Sequence, residues 1–149
     1  MNPRLPRFAR GKFTLKNPEK YVGLKTPTYR SSWEQAIMSL CDEHPNVYKW
    51  ASESIKIPYR HPLTGKYTVY VPDFFIVYND KQGRKHAEMV EVKPMSQTAL
   101  ERAGKSMGKK KQVVINMAKW EAANAYAKQN KMRFRVVSED QLFHQGNRK

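Results

Sequence analysis

An α/β domain with a mixed central sheet flanked by helices, in the order α-β-β-β-α-β-α, is the fold class that the sequence predicts. Three observations predict it. Residues 31–45 carry a helix start signal followed by apolar residues at helical spacing. "ESIKIPYR", "GKYTVYVPDFFIVY" and "KHAEMVEVKP" alternate with the period of strands. Beyond Pro94 a helical period returns before a last alternating run, "KMRFRVV". A chain of 149 residues is long enough to bury a core without disulfides or metals, so a single domain is expected.

Residues 1–28 are expected to form a basic, extended N-terminal arm, with the domain proper spanning 29–149. The first 30 residues hold eight basic side chains and one acid, Glu19, with scattered prolines and no hydrophobic period. At Ser31 a capping-box pattern with Glu34 three positions on starts the first helix, and Ile37, Leu40 and Cys41 fall on its apolar side. After Pro45 the alternation of Glu53, Ile55, Ile57 and Tyr59 predicts the first strand. The next two strands follow across short turns, one of them built from Asn79, Asp80 and Gly83, to give an antiparallel meander. The second helix is expected over Gln112–Gln129, with Val114, Ile115, Ala118, Ala122 and Tyr126 on one stripe and Val113, Met117, Trp120 and Ala127 on another. Met132, Phe134 and Val136 alternate in the last strand, and Ser138 is a candidate N-cap for a short terminal helix.

Charge sets the class of partner. The chain carries 28 Lys+Arg against 13 Asp+Glu, a formal net charge of +15, which exceeds what solubility asks of a small domain and points to a polyanion. No apolar run approaches the roughly 20 residues of a spanning helix, and no signal peptide or basic amphipathic helix is evident, so nucleic acid is favoured over a membrane. The single cysteine, Cys41, cannot close an intramolecular disulfide, which fits synthesis in a reducing compartment.

Two of the strands carry charge in an unusual arrangement. Glu91 and Lys93 project from one face of their strand and Val90 and Val92 from the other. Alternation on a half-exposed strand produces a lone E-x-K by itself. Here, however, Asp73 follows Pro72 on the strand just before, and hairpin pairing would set it beside Glu91. Two adjacent carboxylates repel unless a cation lies between them. A hard divalent ion such as Mg²⁺ takes oxygen donors from one or two carboxylates and shares substrate phosphate oxygens. It would neutralise charge on a phosphodiester while Lys93 positions the attacking water or stabilises developing charge. Lys105, Lys109, Lys110 and Lys111 precede the second helix with no acid among them, against the preference of a helix N-terminus for negative charge. DNA phosphate contact explains them.

Pro72-Asp73 followed by Glu91-Val92-Lys93 resembles the signature of the PD-(D/E)XK nuclease superfamily, whose restriction-endonuclease-like core has the predicted element order. In that superfamily a glutamate on the preceding helix often completes the metal site, and "YRSSWE" offers Glu34 where phage resolvases and TnsA-like transposon endonucleases carry a similar Arg-Ser-x-x-Glu. Glu34 has a competing duty in the capping box. "TYRSSWE", "SESIKIPY", "VEVKP" and "KWEAANAYAKQNKMRFRVVSED" are together similar to the head-completion nuclease family of contractile-tailed phages, over about Tyr29 to Gln141, with Trp33, Pro58, Tyr59, Trp120 and Phe134 in matching order. The resemblance implies a Mg²⁺-dependent DNA endonuclease, with Mn²⁺ able to substitute, acting after DNA packaging. It would work in the host cytoplasm during assembly or with the virion, beside capsid portal or neck proteins. Asp73, Glu91 and Glu34 would bind metal, Lys93 would serve the water, and Arg30 would join the four lysines in contacting DNA. Glu53 is either a structural hydrogen-bond acceptor or an auxiliary metal or water contact. Two other readings stay open: a Holliday-junction or branched-DNA resolvase, and a non-catalytic DNA-binding protein of the virion.

Overall fold

The structure is a computed structural model that describes residues 10–93 and 104–138. Helix α1 (Ser32–Glu43) begins where the capping signal put it, with the Ser31 Oγ accepting from the Glu34 N–H at 3.1 Å. Four strands make the central sheet, in spatial order β3 (Val47–Ser52), β6 (Phe74–Asn79), β7 (Lys85–Val92) and β8 (Arg133–Val137). The first three pair antiparallel and β7 pairs parallel with β8. Parallel neighbours require a long crossover, and α2 (Met107–Gln129) lies between β7 and β8 in the chain.

The sheet is mixed and flanked by helices, as expected, but its strands differ from the anticipated meander in three ways. The run "VYKWAS" was not anticipated as a strand, because an irregularity between Val47 and Lys49 breaks its alternation and puts Val47 and Trp50 on one face, while Ala51 on the other face is buried as well. "GKYTVYVPDFFIVY" is two strands, interrupted around Pro72, a residue with no N–H to give a ladder. Its first part, β5 (Tyr67–Tyr70), leaves the central sheet and pairs antiparallel with β4 (Ile57–Arg60) as a separate two-stranded ribbon. Glu53 and Ile55 therefore precede β4 and belong to no strand. The second helix starts at Met107, five residues earlier than expected, capped by the Ser106 Oγ on the Lys109 N–H. The expected terminal helix beyond Ser138 lies outside the described residues.

Two apolar clusters hold the layers together. On one side Ile37, Met38 and Cys41 of α1 pack on Trp50, Phe74, Val90, Val92 and Val137. On the other, Ala123 and Ala127 of α2 pack with Met89, Phe134 and the ribbon residues Ile57, Tyr59 and Tyr70. Consecutive residues Met89 and Val90 belong to opposite clusters, so both faces of β7 are covered. The buried stripe of α2 is Val113, Asn116, Ala123 and Ala127, at steps of three, seven and four residues that keep to one helix face. Val114 and Met117, expected on apolar stripes, are exposed, while polar Asn116 is fully buried and bonded by the Gln112 amide at 3.0 Å.

From residue 10 the segment read as an arm lies against the domain. A short pair, β1 (Gly11–Lys12) with β2 (Thr28–Tyr29), closes it into a loop. Phe13, Leu15 and Tyr21 pack on the α1-side cluster. Asp42, fully buried, accepts from the backbone N–H groups of Lys16 and Asn17 at 2.9 and 3.0 Å.

Candidate active site

The register of β6 on β7 pairs Phe74 with Val90, and continued by one residue it sets Asp73 opposite Glu91. Asp73 sits at the mouth of β6, half-buried, and its Oδ2 accepts from the Val92 N–H at 2.8 Å. Glu91 is only 5% exposed. The face it shares with Lys93 is not the solvent-facing side of a half-exposed strand; α2 and the ribbon cover it. Glu91 Oε1 accepts from the Tyr70 hydroxyl at 2.7 Å, and Oε2 lies 3.4 Å from the Lys93 Nζ.

The electrostatics follow from that crowding. Burial, with the Glu91 charge adding to it, pushes the Asp73 carboxyl up to about 8, against the Val92 hydrogen bond; Glu34 raises it further and Lys93 opposes. Glu91 is also raised by burial, and Lys93 and the Tyr70 hydroxyl work against that shift. Burial raises the Tyr70 hydroxyl too, reinforced by the neighbouring carboxylates. A second lysine reaches the same place from α2. The Lys119 ammonium, 5.7 Å from the centre of the Tyr70 ring, is pulled down by burial and by Lys93, while Glu91 and Asp73 hold it up.

The start of α1 is tied to these carboxylates through the main chain. Glu34 Oε1 accepts from the Arg30 N–H at 3.0 Å, the Arg30 guanidinium pairs with the Glu53 carboxylate, and the Glu53 N–H donates to the Asp73 carbonyl at 2.9 Å. Glu53 holds a left-handed backbone with φ +51°, a conformation that costs an L-residue about 1–2 kcal/mol and that the Asp73 hydrogen bond helps to fix. Its side chain thus serves Arg30, and its main chain positions Asp73. Glu34 contributes to the field at Asp73, yet among the described residues no three His, Cys, Asp or Glu side chains stand at metal-holding spacing. The donor set nevertheless suits a hard cation, being two oxygen-bearing carboxylates that repel each other where water is scarce.

Of the expected residues, the structure brings Asp73, Glu91 and Lys93 together, with Glu34, Arg30 and Glu53 linked to them by hydrogen bonds. Lys105, Lys109, Lys110 and Lys111 do not join this cluster; they are exposed on and just before the first turns of α2, which has no acid in its first turn. Tyr70 and Lys119 were missed. Tyr70 had a signal in lying three residues before Asp73, whereas Lys119 had none, being one lysine among many on a basic helix.

A mixed sheet with a Pro-Asp strand mouth set against Glu-x-Lys, helices on both faces and a carboxylate from the first helix define the class: an endonuclease of the restriction-endonuclease-like fold. Comparison with known proteins agrees. Residues 44–139 match the family described as "TnsA-like endonuclease N terminal". The chain is 32% identical over 142 residues to the head completion nuclease of Enterobacteria phage T4, covering 89% of this chain and 92% of that protein. The chain belongs to this TnsA-like endonuclease family, and it is a nuclease.

Proposed function

We propose that the protein is a divalent-metal-dependent DNA endonuclease that acts in phage head completion after packaging. The observation that carries the chemistry is the buried Asp73–Glu91 carboxylate pair with Lys93 beside it. Asp73 and Glu91 hold Mg²⁺, or Mn²⁺ in its place, and Glu34 assists from α1. When bound, the ion neutralises charge on the phosphodiester. Lys93 orients the attacking water and stabilises charge that develops on the phosphate oxygens. Tyr70 fixes the Glu91 carboxylate, and Lys119 keeps the pocket from carrying an uncompensated negative charge once a phosphate enters. The net charge of +15 supports DNA as the polymer. Lys105, Lys109, Lys110, Lys111 and Arg30 track its backbone. The stage of action, and a portal or neck protein as neighbour, rest on the name of the phage relative.

The test is incubation with linear, supercoiled, single-stranded and four-way-junction DNA in Mg²⁺, Mn²⁺ or EDTA. Cutting with either metal and none in EDTA is expected. Cutting confined to the junction would favour the resolvase reading, and DNA binding without cutting in either metal would leave a structural protein of the virion.

A further inference from the structure

The β4–β5 ribbon stands outside the central sheet, and its two faces differ. Ile57, Tyr59 and Tyr70 are buried on the α2 side. The outward face follows from the register, which pairs Pro58 with Val69 and Arg60 with Tyr67. Tyr67 is 79% exposed, Val69 52%, and Leu63 in the connecting turn 53%. From Ser54 to Pro72 there is no acidic residue, while Lys56, Arg60, His61 and Lys66 are basic or titratable to a cation. An exposed aromatic and aliphatic surface framed by cations alone fits a partner that is anionic along its length and flat and apolar between its charges. A nucleic-acid strand meets that description. A second copy of this chain, also at +15, meets repulsion at the same surface.

An aromatic side chain can stack only on a base whose face is open, which in a duplex interior it is not. The ribbon is also coupled to the candidate active site. Tyr70, on the ribbon's inward face and three residues along the strand from outward-facing Tyr67, a backbone rise of about 10 Å, places its hydroxyl on Glu91. We infer that the β4–β5 ribbon is a contact for unpaired DNA: Tyr67 stacks on an exposed base while Arg60 and Lys66 hold the flanking phosphates. The inference rests on the nuclease reading of the Asp73–Glu91 site and deepens it, giving that site a substrate class of DNA with unpaired nucleotides beside the cut.

The test uses the full chain in Ca²⁺, which supports binding without requiring turnover, with a labelled single-stranded oligonucleotide and a blunt duplex measured by fluorescence anisotropy. Tyr67→Ala should weaken single-strand binding about 5- to 160-fold, the loss that follows removal of one base–aromatic stack, and Tyr67→Phe should restore it. Blunt-duplex affinity should be unchanged in both. Arg60→Gln with Lys66→Gln should lower the salt dependence on the single strand by about 1.4 in log–log slope, two phosphate contacts at roughly 0.7 each. Because Tyr67 is exposed, the variants should melt with the wild type, which circular dichroism verifies. Unchanged single-strand binding in Tyr67→Ala overturns the inference. So does an equal loss on both DNAs, or a wild-type dimer in sedimentation that the substitution dissociates. The two readings fail separately. If the wild type cuts no DNA but Tyr67→Ala still loses single-strand binding, the ribbon contact stands and the nuclease reading falls. If the wild type cuts and Tyr67→Ala binds normally, the reverse holds.

Discussion

Strand β7 buries two glutamates three residues apart, Glu88 and Glu91, each 5% exposed, and they have opposite fates. Each receives a tyrosine hydroxyl, Tyr78 on Glu88 at 2.6 Å and Tyr70 on Glu91 at 2.7 Å. Each has a cation at about the same distance, Arg135 at 3.3 Å from Glu88 and Lys93 at 3.4 Å from Glu91. The difference is Asp73. One carboxylate with one cation and one hydroxyl is a satisfied structural pair; at Glu91 a second carboxylate lies close by, with Lys119 as a second cation, and the two acids compete for the charged state. That pairing of two acids, rather than burial or hydrogen bonding, separates the candidate catalytic acid from its structural neighbour.

Substitution of the acids tests that contrast with the largest effect. Asp73→Asn, Glu91→Gln and Lys93→Ala should each lower DNA cleavage by about 10²-fold or more, as expected for loss of a group that stabilises transition-state charge. Glu88→Gln should leave kcat near that of the wild type. It should instead lower stability by up to about 1 kcal/mol, since the Glu88–Arg135 pair is half open to water on the arginine side, read as a shift of the urea midpoint. Equal loss of cleavage from Glu88→Gln would erase the distinction.

Stability against pH offers a second, opposite signature. The folded pKa of Asp73, about 8, lies above its ordinary value of 3.8. Between those values the folded state holds more protons than the unfolded one, so the contribution of Asp73 to stability is full below about pH 4 and is lost as pH rises through about 8. Asp73→Asn should therefore raise the Tm of the metal-free protein at pH 8 while abolishing cleavage. Adding Mg²⁺ should raise the wild-type Tm more than that of the variant. A Tm for Asp73→Asn below that of the wild type at pH 8 would show that an ionised Asp73 does not destabilise the fold.

The two tyrosines sharpen the comparison further. Tyr78→Phe should lower stability and leave cleavage alone, whereas Tyr70→Phe should also reduce kcat several-fold, because Glu91 loses the group that fixes it; single-turnover rates decide. The smallest effect is expected from the outlying cations. Replacing Lys109, Lys110 and Lys111 with Gln should reduce the log–log salt slope of duplex binding by up to roughly 2–3 and leave the rate at saturating DNA intact. An unchanged slope would mark them as an ordinary solvated face.

Much of this was legible in the sequence because hairpin register is a period-two problem. Once β6 and β7 are recognised as neighbours, Asp73 and Glu91 must meet. Glu88 and Glu91 lie close together in "AEMVEVK", and the lysine two residues on with the Pro-Asp of the facing strand distinguishes Glu91. What escaped notice depended on contacts distant in sequence. Val47 and Trp50 share a face because β3 is irregular between Val47 and Lys49, and Ala51 is buried on the other face, so alternation hid that strand. The departure of β5 from the sheet is a tertiary choice that places Tyr70 over Glu91. Asn116 is buried because Gln112 bonds its side chain, so a polar letter interrupted the true packing stripe of α2. Phe13, Leu15 and Tyr21 gave no period because they pack from an irregular segment.

That segment has a consequence for how the protein behaves when cut short. Among the described residues the central sheet has two margins, β8 and β3. Along β8, exposed Arg133 and Arg135 repel an incoming strand. Along β3 the guard is the N-terminal chain itself, where Tyr21 bridges to Trp50 and the Val22 N–H donates to the Trp50 carbonyl at 2.9 Å. Removal of residues 10–28 would bare a strand rich in unpaired backbone groups and the fully buried Trp50, the condition under which strands add to one another and proteins aggregate. A truncation meant to strip away a DNA-binding tail would then yield precipitate or fibres at concentrations the whole chain tolerates, whereas one ending at residue 9 would leave that margin closed.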